Sequence, residues 1–348
     1  MRTRNVLRIL LLSGFLIVVA GALVSRAPMA DDSGIQAALS GPVLGYVLDG
    51  NLQAIRPVNG IVGSALMGAP LALPFPVSAA AFSSRGDFAL AVSAQDHAAY
   101  LILSLGTAAP SAAAIPGALS GADRLALNAD NTAAALYSPA GGQAQIIKGL
   151  PDNPSIGALV DLSAVSGKLT ALALDRGASN LLVTAAGSAQ GALYLWSAAA
   201  DPGAPLRTLG TFGSPSALAL LHGDQDAVVA DAGSNQLLLI RNFAGSADVF
   251  ALAGPNDGIS NPVGLQAAAD GARLFIADAG TPSLDVWNFA AQAMETGIPL
   301  DAVPSKLTRV QGQSTFLLNE VGSDPLLLLD AAAGSPAVYF VPAGKEQQ

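Results

Sequence analysis

The sequence contains no cysteine, and this absence excludes several kinds of link and site. No disulfide can form, so packing alone must stabilise the folded chain. A lipid-modified N-terminal cysteine and a cysteine-ligated zinc site are excluded as well. Only two histidines are present, His97 and His222, and no His-x-x-x-His spacing occurs, so a histidine zinc site is not expected either.

Charge is also scarce, and its balance is negative. Charged residues make up 12% of the chain and the formal net charge is −9. An acidic surface repels phosphate backbones and anionic headgroups, so nucleic acid is not expected as a partner. The glutamates are only Glu295, Glu320 and Glu346. Because aspartate favours turns and glutamate favours helices, this bias predicts many loops and few helices.

The start of the sequence has the features of a targeting segment. Arg2, Arg4 and Arg8 precede an apolar run over residues 9–24, which is 16 residues long. A membrane-spanning helix needs about 20 residues, so residues 1–30 are predicted to be a signal peptide, cleaved after Ala22 or Ala30. An uncleaved N-terminal anchor is the alternative. Both place the rest of the chain outside the cytoplasm, periplasmic or secreted, with membrane contact only through such an anchor.

An apolar pattern repeats along the rest of the chain. The stretch VVADAGSNQLLLI (228–240) is followed by LFIADAGTPSLDVW (274–287), and the two aspartates lie 47 positions apart (278 minus 231). Corresponding apolar positions are spaced by 42 to 47 residues. These positions are Val47, Val92, Leu136, Val183, Val229, Ile276 and Leu318. Each unit has the pattern strand, tight turn, strand, loop, strand.

This repeat length predicts an all-β fold, a β-propeller of four-stranded blades arranged in a ring. We expect one propeller domain over residues 36–343, with seven blades, followed by a polar tail at 344–348. Six or eight blades are the alternatives. One unit cannot bury both faces of its small sheet, so the pattern recurs because each blade packs on the next. Little sequence precedes Val47, which leaves little room for an inner strand in the first unit.

Two stretches resemble known propeller families. Residues 229–237 (VADAGSNQL) resemble the NHL-type repeat, in which V-A-D, a small polar turn and Asn precede a basic and an aliphatic residue. Gln236 stands where that repeat has its basic residue. The stretch NLLVTA (180–185) resembles the YVTN-type propellers of secreted bacterial proteins. The resemblance implies a propeller fold, which in similar proteins also supports lactonase or lyase activity.

Propellers usually bind ligands at one mouth of the central channel, which is formed partly by the loops between second and third strands. In the repeat alignment these loops carry Asp49, Ala94, Ser138, Ala185, Asp231, Asp278 and Glu320. The carboxylates fall in consecutive units of a closed ring, with Asp324 nearby, so we predict an acidic arc. Such an arc would bind Ca²⁺ or another divalent cation through oxygen ligands. The alternative is that each aspartate accepts hydrogen bonds from N–H groups of its own turn.

The remaining candidates are few. His97 follows Asp96 in a loop that is expected at the same mouth, and it is a candidate ligand residue. Trp196 and Trp287 lie in third-strand runs and are expected to be buried between blades. No G-x-S-x-G elbow or phosphate loop is present.

Three functions fit these observations. The first is a binding or scaffold module whose partner is a protein, a glycan or a small molecule. The second is a metal-dependent, lactonase- or lyase-like enzyme, and the third is a purely structural surface protein. The poverty of catalytic side chains favours the first, since a lyase would need a positioned proton donor beside its metal.

Overall fold

The computed structural model describes residues 41–200, 205–295, 297–312, 314–322, 324–332 and 336–342. They belong to one compact unit, Ser40–Gln348. The predicted targeting segment 1–30, the tail 344–348 and the domain limits at 36 and 343 lie outside the described residues. Within these ranges, no helix is long and apolar enough to cross a membrane.

The described residues form seven antiparallel sheets, numbered here as blades 1 to 7 in chain order. Blade 1 has β1 (Val43–Asp49), β2 (Ala54–Ile61) and β3 (Ser64–Met67). Blade 2 has β4 (Val77–Phe82), β5 (Phe88–Ser93), β6 (Ala99–Leu103) and β7 (Ser111–Ala114). Blade 3 has β8 (Arg124–Leu127), β9 (Ala133–Ser138), β10 (Gln143–Lys148) and β11 (Ser155–Asp161). Blade 4 has β12 (Lys168–Leu174), β13 (Asn180–Ala186), β14 (Gly191–Ser197) and β15 (Arg207–Phe212).

Blades 5 to 7 complete the ring. Blade 5 has β16 (Pro215–Leu220), β17 (Ala227–Asp231), β18 (Gln236–Arg241) and β19 (Asp248–Ala253). Blade 6 has β20 (Pro262–Ala267), β21 (Arg273–Asp278), β22 (Ser283–Asn288), β23 (Ala293–Met294) and β24 (Ile298–Pro299). Blade 7 has β25 (Thr308–Gln311), β26 (Thr315–Leu317), β27 (Leu326–Asp330) and β28 (Ala337–Val341). A short 3-10 helix, Pro255–Asp257, joins blades 5 and 6.

The predicted all-β propeller of seven blades is confirmed. Strands pair in chain order, and five of the seven sheets seen in the described ranges have four strands. Blade 6 has a fifth, because β24 also pairs with β22.

Blade 1 has only three strands in the described part of the chain. Its first strand, β1, corresponds to the second strand of the other blades. The turn after β1 shows this, because its Gln53 carbonyl accepts a hydrogen bond from Val77 N at the start of β4. In blade 2, the turn after the second strand makes the same kind of contact, since His97 O accepts from Gly121 N just before β8. The little room predicted before Val47 agrees with this arrangement.

The strands near the channel are continuously apolar because both of their faces are covered. All six residues of β5 (FALAVS) are buried. Successive side chains of a strand point to opposite faces. Phe88, Leu90 and Val92 therefore pack toward blade 3, whereas Ala89 and Ala91 pack toward blade 1.

Side-chain packing between neighbouring blades closes the ring. Seven apolar clusters occur among the described residues, and each combines residues of two adjacent blades. The cluster between the last and first blades includes Val310 and Leu328 of blade 7 with Val47 and Met67 of blade 1. The repeat thus recurs for the predicted reason, which is that each blade covers its neighbour.

Candidate functional site

The turns that follow the second strand of each blade lie together at one end of the ring, here called the loop face. Asp49, Asp231 and Asp278 are the last residues of β1, β17 and β21. His97 lies in the turn after β5, and Glu320 in the loop after β26. The topology therefore places all five predicted residues at this face, in blades 1, 2, 5, 6 and 7.

Asp231 is buried and is held by four donors. Its Oδ1 accepts from Ser214 N at 2.6 Å and Gly233 N at 3.1 Å, and its Oδ2 accepts from Gly213 N and Ser234 Oγ, both at 2.8 Å. Burial by itself would raise the pKa of Asp231, but these hydrogen bonds together lower it below its ordinary value. The ionised carboxylate thus ties the turn after β17 to the connection between blades 4 and 5.

Asp49 has a similar role with a different partner. Its Oδ1 accepts from Asn51 N at 3.2 Å and Leu52 N at 3.1 Å, both in its own turn. Its Oδ2 accepts from Arg56 Nη1 at 3.0 Å, and Arg56 Nε also donates to Gly68 O at 2.9 Å. The charge of this buried carboxylate is therefore compensated within blade 1.

Asp278 differs from its counterpart Asp231, although the two occupy equivalent places. Asp278 is fully buried, accepts one hydrogen bond, from Ser260 N at 3.1 Å, and its Oδ1 has no hydrogen-bond partner in the described part of the chain. Two of the three backbone donors that Asp231 has are lost here. Asn261 N donates to Asn235 Oδ1 of blade 5, at 2.7 Å, and Gly280 N donates to Ser260 O, at 2.9 Å.

A second carboxyl group, Asp285, lies beside Asp278. Asp285 Oδ2 accepts from Ser283 Oγ at 2.7 Å, and in blade 5 the position equivalent to Asp285 is Leu238 (285 minus 47). The pKa of Asp278 is raised to about 7, mainly by burial; the hydrogen bond from Ser260 N opposes this rise, and the neighbouring Asp285 adds to it. The two equivalent aspartates therefore have opposite pKa shifts. Burial raises both pKa values, but four hydrogen bonds outweigh it at Asp231, whereas Asp278 has one hydrogen bond and an acidic neighbour.

Glu320 is exposed at the loop face. It makes one ion pair, with Lys306 at 3.8 Å, and 78% of its side-chain surface is accessible to solvent. Such a pair contributes little to stability.

His97 is also exposed, and its backbone has a φ of 59°, in the left-handed region. Its carbonyl accepts hydrogen bonds from Gly121 N at 2.8 Å and Ser120 Oγ at 3.1 Å, which tie the loop of blade 2 to blade 3. The observed role of His97 is thus that of a turn residue.

A substitution series at His97 would test this role. Asparagine adopts the left-handed region readily, so His97→Asn is expected to leave the free energy of unfolding within about 0.5 kcal/mol of wild type. Valine is disfavoured there, and His97→Val is expected to cost about 1–2 kcal/mol. Urea unfolding measures both. Equal losses in the two variants would show that the imidazole, and not the backbone geometry, is what the loop requires.

The predicted acidic arc is not assembled as one cation site. The described residues contain no group of three or more His, Cys, Asp or Glu side chains that could hold a metal ion. The physical reason is that the oxygens of Asp49 and Asp231 already accept hydrogen bonds from nearby backbone and side-chain donors, while Glu320 is exposed to solvent. Binding of Ca²⁺ or another divalent cation at this face stays a prediction.

Two residues of this face were missed by the sequence alignment. In blade 2 the last residue of the second strand is Ser93, not Ala94, and Ser93 Oγ accepts from Gln95 N at 3.1 Å and Asp96 N at 3.3 Å. Asp285 was passed over because it lies inside an apolar run. Comparison with Leu238, one repeat earlier, would have exposed it as a polar exception.

Comparison with known proteins shows only the fold. No protein-family model and no curated protein sequence matches the chain. A functionally unknown protein of Desulfotomaculum acetoxidans is 13% identical, with a TM-score of 0.60, over 86% of this chain and 99% of that one. A Lactobacillus plantarum protein is 18% identical, with a TM-score of 0.58, over 86% and 96%.

A third similar structure comes from Bacteroides fragilis and is provisionally assigned as a 6-phosphogluconolactonase. It is 14% identical, with a TM-score of 0.57, and the match covers 86% of this chain and 94% of that chain. At such identities the likeness extends to architecture and not to residues of a site. The chain therefore shares the β-propeller fold with these three proteins.

Proposed function

We propose that the chain is a binding or scaffold module and not a metal-dependent enzyme. The supporting observation is the geometry of Asp231, whose two carboxylate oxygens accept four hydrogen bonds from the protein itself. A carboxylate used in this way fixes the shape of a loop. Asp49 is held by its own turn and by Arg56 in a similar way, and loops fixed like these two give a rigid surface for a partner.

The partner in this proposal is a protein, a glycan or a small molecule met outside the cytoplasm. The net charge of −9 disfavours nucleic acid. The extracytoplasmic location depends on the apolar run at 9–24 and its preceding arginines, which lie outside the described residues. We also propose that the repeats are of the NHL or YVTN type, on the strength of the stretches at 229–237 and 180–185.

Thermal unfolding with and without cations tests the proposal. The full chain is unfolded in EDTA and then with Ca²⁺, Mg²⁺ or Mn²⁺, and no cation is expected to change the midpoint. Asp231→Ala is expected to lower the free energy of unfolding by about 2 kcal/mol, by the same amount in every solution, because donors of the turn lose their acceptor.

A metal site would behave differently. A cation at a hundredfold excess over its dissociation constant stabilises a folded protein by about 2.7 kcal/mol. A cation-specific rise of the midpoint that disappears in Asp231→Ala or Asp278→Ala would overturn the proposal. Asp270→Ala, at an exposed turn in blade 6, is the matched control and should leave any such rise intact.

One observation favours the alternative, a lactonase- or lyase-like enzyme. Asp278 and Asp285 form a carboxyl pair, and a carboxyl group with a pKa of about 7 is suited to proton transfer near neutral pH. The alternative predicts hydrolysis of simple lactones that is lost in Asp285→Asn. The binding proposal predicts that wild type hydrolyses these lactones no faster than Asp285→Asn does.

A further inference from the structure

A cleft of about 730 Å³ lies at the rim of blades 3, 4 and 5. The cleft lies away from the loop face. Its Lys148 is the last residue of β10, whereas the loop-face turn of blade 3 lies at the other end of this strand, before Gln143. The turns after β12, β14 and β18 contribute Ala178, Ala198 and Ala244 to it. No predicted site residue lines this cleft.

The walls of the cleft are mostly apolar. Ile146, Leu159, Leu195 and Trp196 line it. Trp196 is partly buried against the core shared by blades 3 and 4, and Leu159 is 54% exposed. Volumes of about 300–1,000 Å³ with apolar and aromatic walls are typical of small-molecule sites.

Two cationic side chains also line the cleft. Arg207 donates from Nη1 to Gly245 O at 2.8 Å and from Nη2 to Phe243 O, so two carbonyls of the turn after β18 hold its guanidinium in place. Lys148 is exposed and forms no ion pair with any described residue. The described lining residues include no aspartate or glutamate.

This combination is unusual in a chain with 25 acidic and 16 basic residues. Neither backbone carbonyl cancels the charge of Arg207, and Lys148 can move its ammonium group toward a ligand. An apolar cleft with two cations that pair with no described acidic side chain is complementary to a molecule with an apolar body and one negative group.

We propose that this cleft binds a small aliphatic or aromatic carboxylic acid. The apolar body lies against Trp196, Leu159 and Leu195, and the carboxylate meets Lys148 and Arg207. The cleft is separate from the loop face. A result that overturns the cleft proposal therefore leaves the proposal for the loop face unaffected, and a result against the loop-face proposal leaves the cleft proposal unaffected.

Trp196 provides a direct probe. The chain has two tryptophans, and Trp287→Phe leaves Trp196 as the only one. Titration of this variant with decanoate is expected to change the fluorescence of Trp196 in a saturable way. Lys148→Gln in the same background is expected to weaken binding by about tenfold or more, because a charge-assisted contact is lost. Lys168→Gln, an exposed lysine of β12 that does not line the cleft, is the matched control and should change nothing.

Three results would overturn the proposal. They are a signal that does not saturate, equal affinity for decan-1-ol, and equal affinity in Lys148→Gln. Isothermal calorimetry of the unsubstituted chain with decanoate gives the same test if Trp287→Phe does not fold. Asp231→Asn should leave decanoate binding unchanged, which separates this site from the loop face.

Discussion

At pH 8, Asp278→Asn is expected to raise the free energy of unfolding, by as much as about 4 kcal/mol. The pKa of Asp278 is raised from 3.8 to about 7 in the folded chain, and each pKa unit corresponds to about 1.4 kcal/mol. At pH 8 the folded protein must hold this carboxylate ionised, buried and beside Asp285. Asparagine has no charge to bury, can accept from Ser260 N, and can donate to Asp285.

The pH dependence follows from the sign of the shift. A carboxyl group whose folded pKa is raised binds its proton more tightly in the folded state, so its contribution is present below the unfolded pKa and is lost as pH rises toward about 7. Wild type should therefore lose stability between pH 5 and pH 8, and Asp278→Asn should lose much less. Urea unfolding at pH 5, 6, 7 and 8 measures both slopes.

The equivalent substitution in blade 5 should have the opposite sign. Asp231→Asn replaces a carboxylate whose folded pKa is lowered, so it should reduce stability at pH 5 to 8, where the carboxylate is ionised in wild type. Parallel slopes in wild type and Asp278→Asn would show that the pair of acidic groups does not cause the pH dependence.

Gly264→Ala is expected to destabilise the ring by about 3 kcal/mol, since overpacking a tight interior typically costs 1–3 kcal/mol and here the obstacle is backbone. A Cβ on Gly264 would lie 2.5 Å from Leu307 N and 2.8 Å from Lys306 C. These atoms lead into β25, so the methyl group would force blades 6 and 7 apart. The same interface contains the ring pair Phe275 and Phe316, with centroids 5.8 Å apart.

Ala217 provides the matched control for this substitution. It pairs with Ala230 of β17 as Gly264 pairs with Ala277 of β21, and it faces blade 6 in the cluster between blades 5 and 6. Ala217→Gly should cost only about 0.5–1 kcal/mol, through chain entropy. If urea unfolding shows Gly264→Ala to be as stable as wild type, blades 6 and 7 have room that the structure does not show.

The spacing of the repeat was sufficient to predict the ring and the number of blades. The apolar positions before Asp231 and Asp278 recur at 47 residues because each blade needs the same buried strand, and burial is a local pattern that the sequence records directly. The loop-face position of Asp49 was predicted on the same basis, from the turn that follows it.

The chemistry of the loop face was harder to predict, because it depends on neighbours from other blades. The pKa of Asp278 is raised mainly by burial, and Asp285, which stands where blade 5 has an apolar residue, raises it further. Asn235 of the preceding blade also accepts from Asn261 N, whose counterpart in blade 5 donates to Asp231. Neither fact is visible in the motif Ala-Asp-Ala-Gly, which Asp231 and Asp278 share. The cleft is a similar case, since three blades contribute to it. The sequence predicts a buried Trp196, but this residue is only half-buried because it lines the cleft. The burial predicted for Trp287 is confirmed, since it is 6% exposed.

Side-chain packing, and not strand pairing, joins the described strands of blades 7 and 1. In the described ranges all strands of blade 7 pair with one another, all strands of blade 1 pair with one another, and the two blades share the apolar cluster around Val47 and Leu328. Opening the ring there breaks side-chain packing and no strand pair of the described residues. The propeller therefore has a seam, at which blades 7 and 1 can separate while the described strands of both blades keep their sheets.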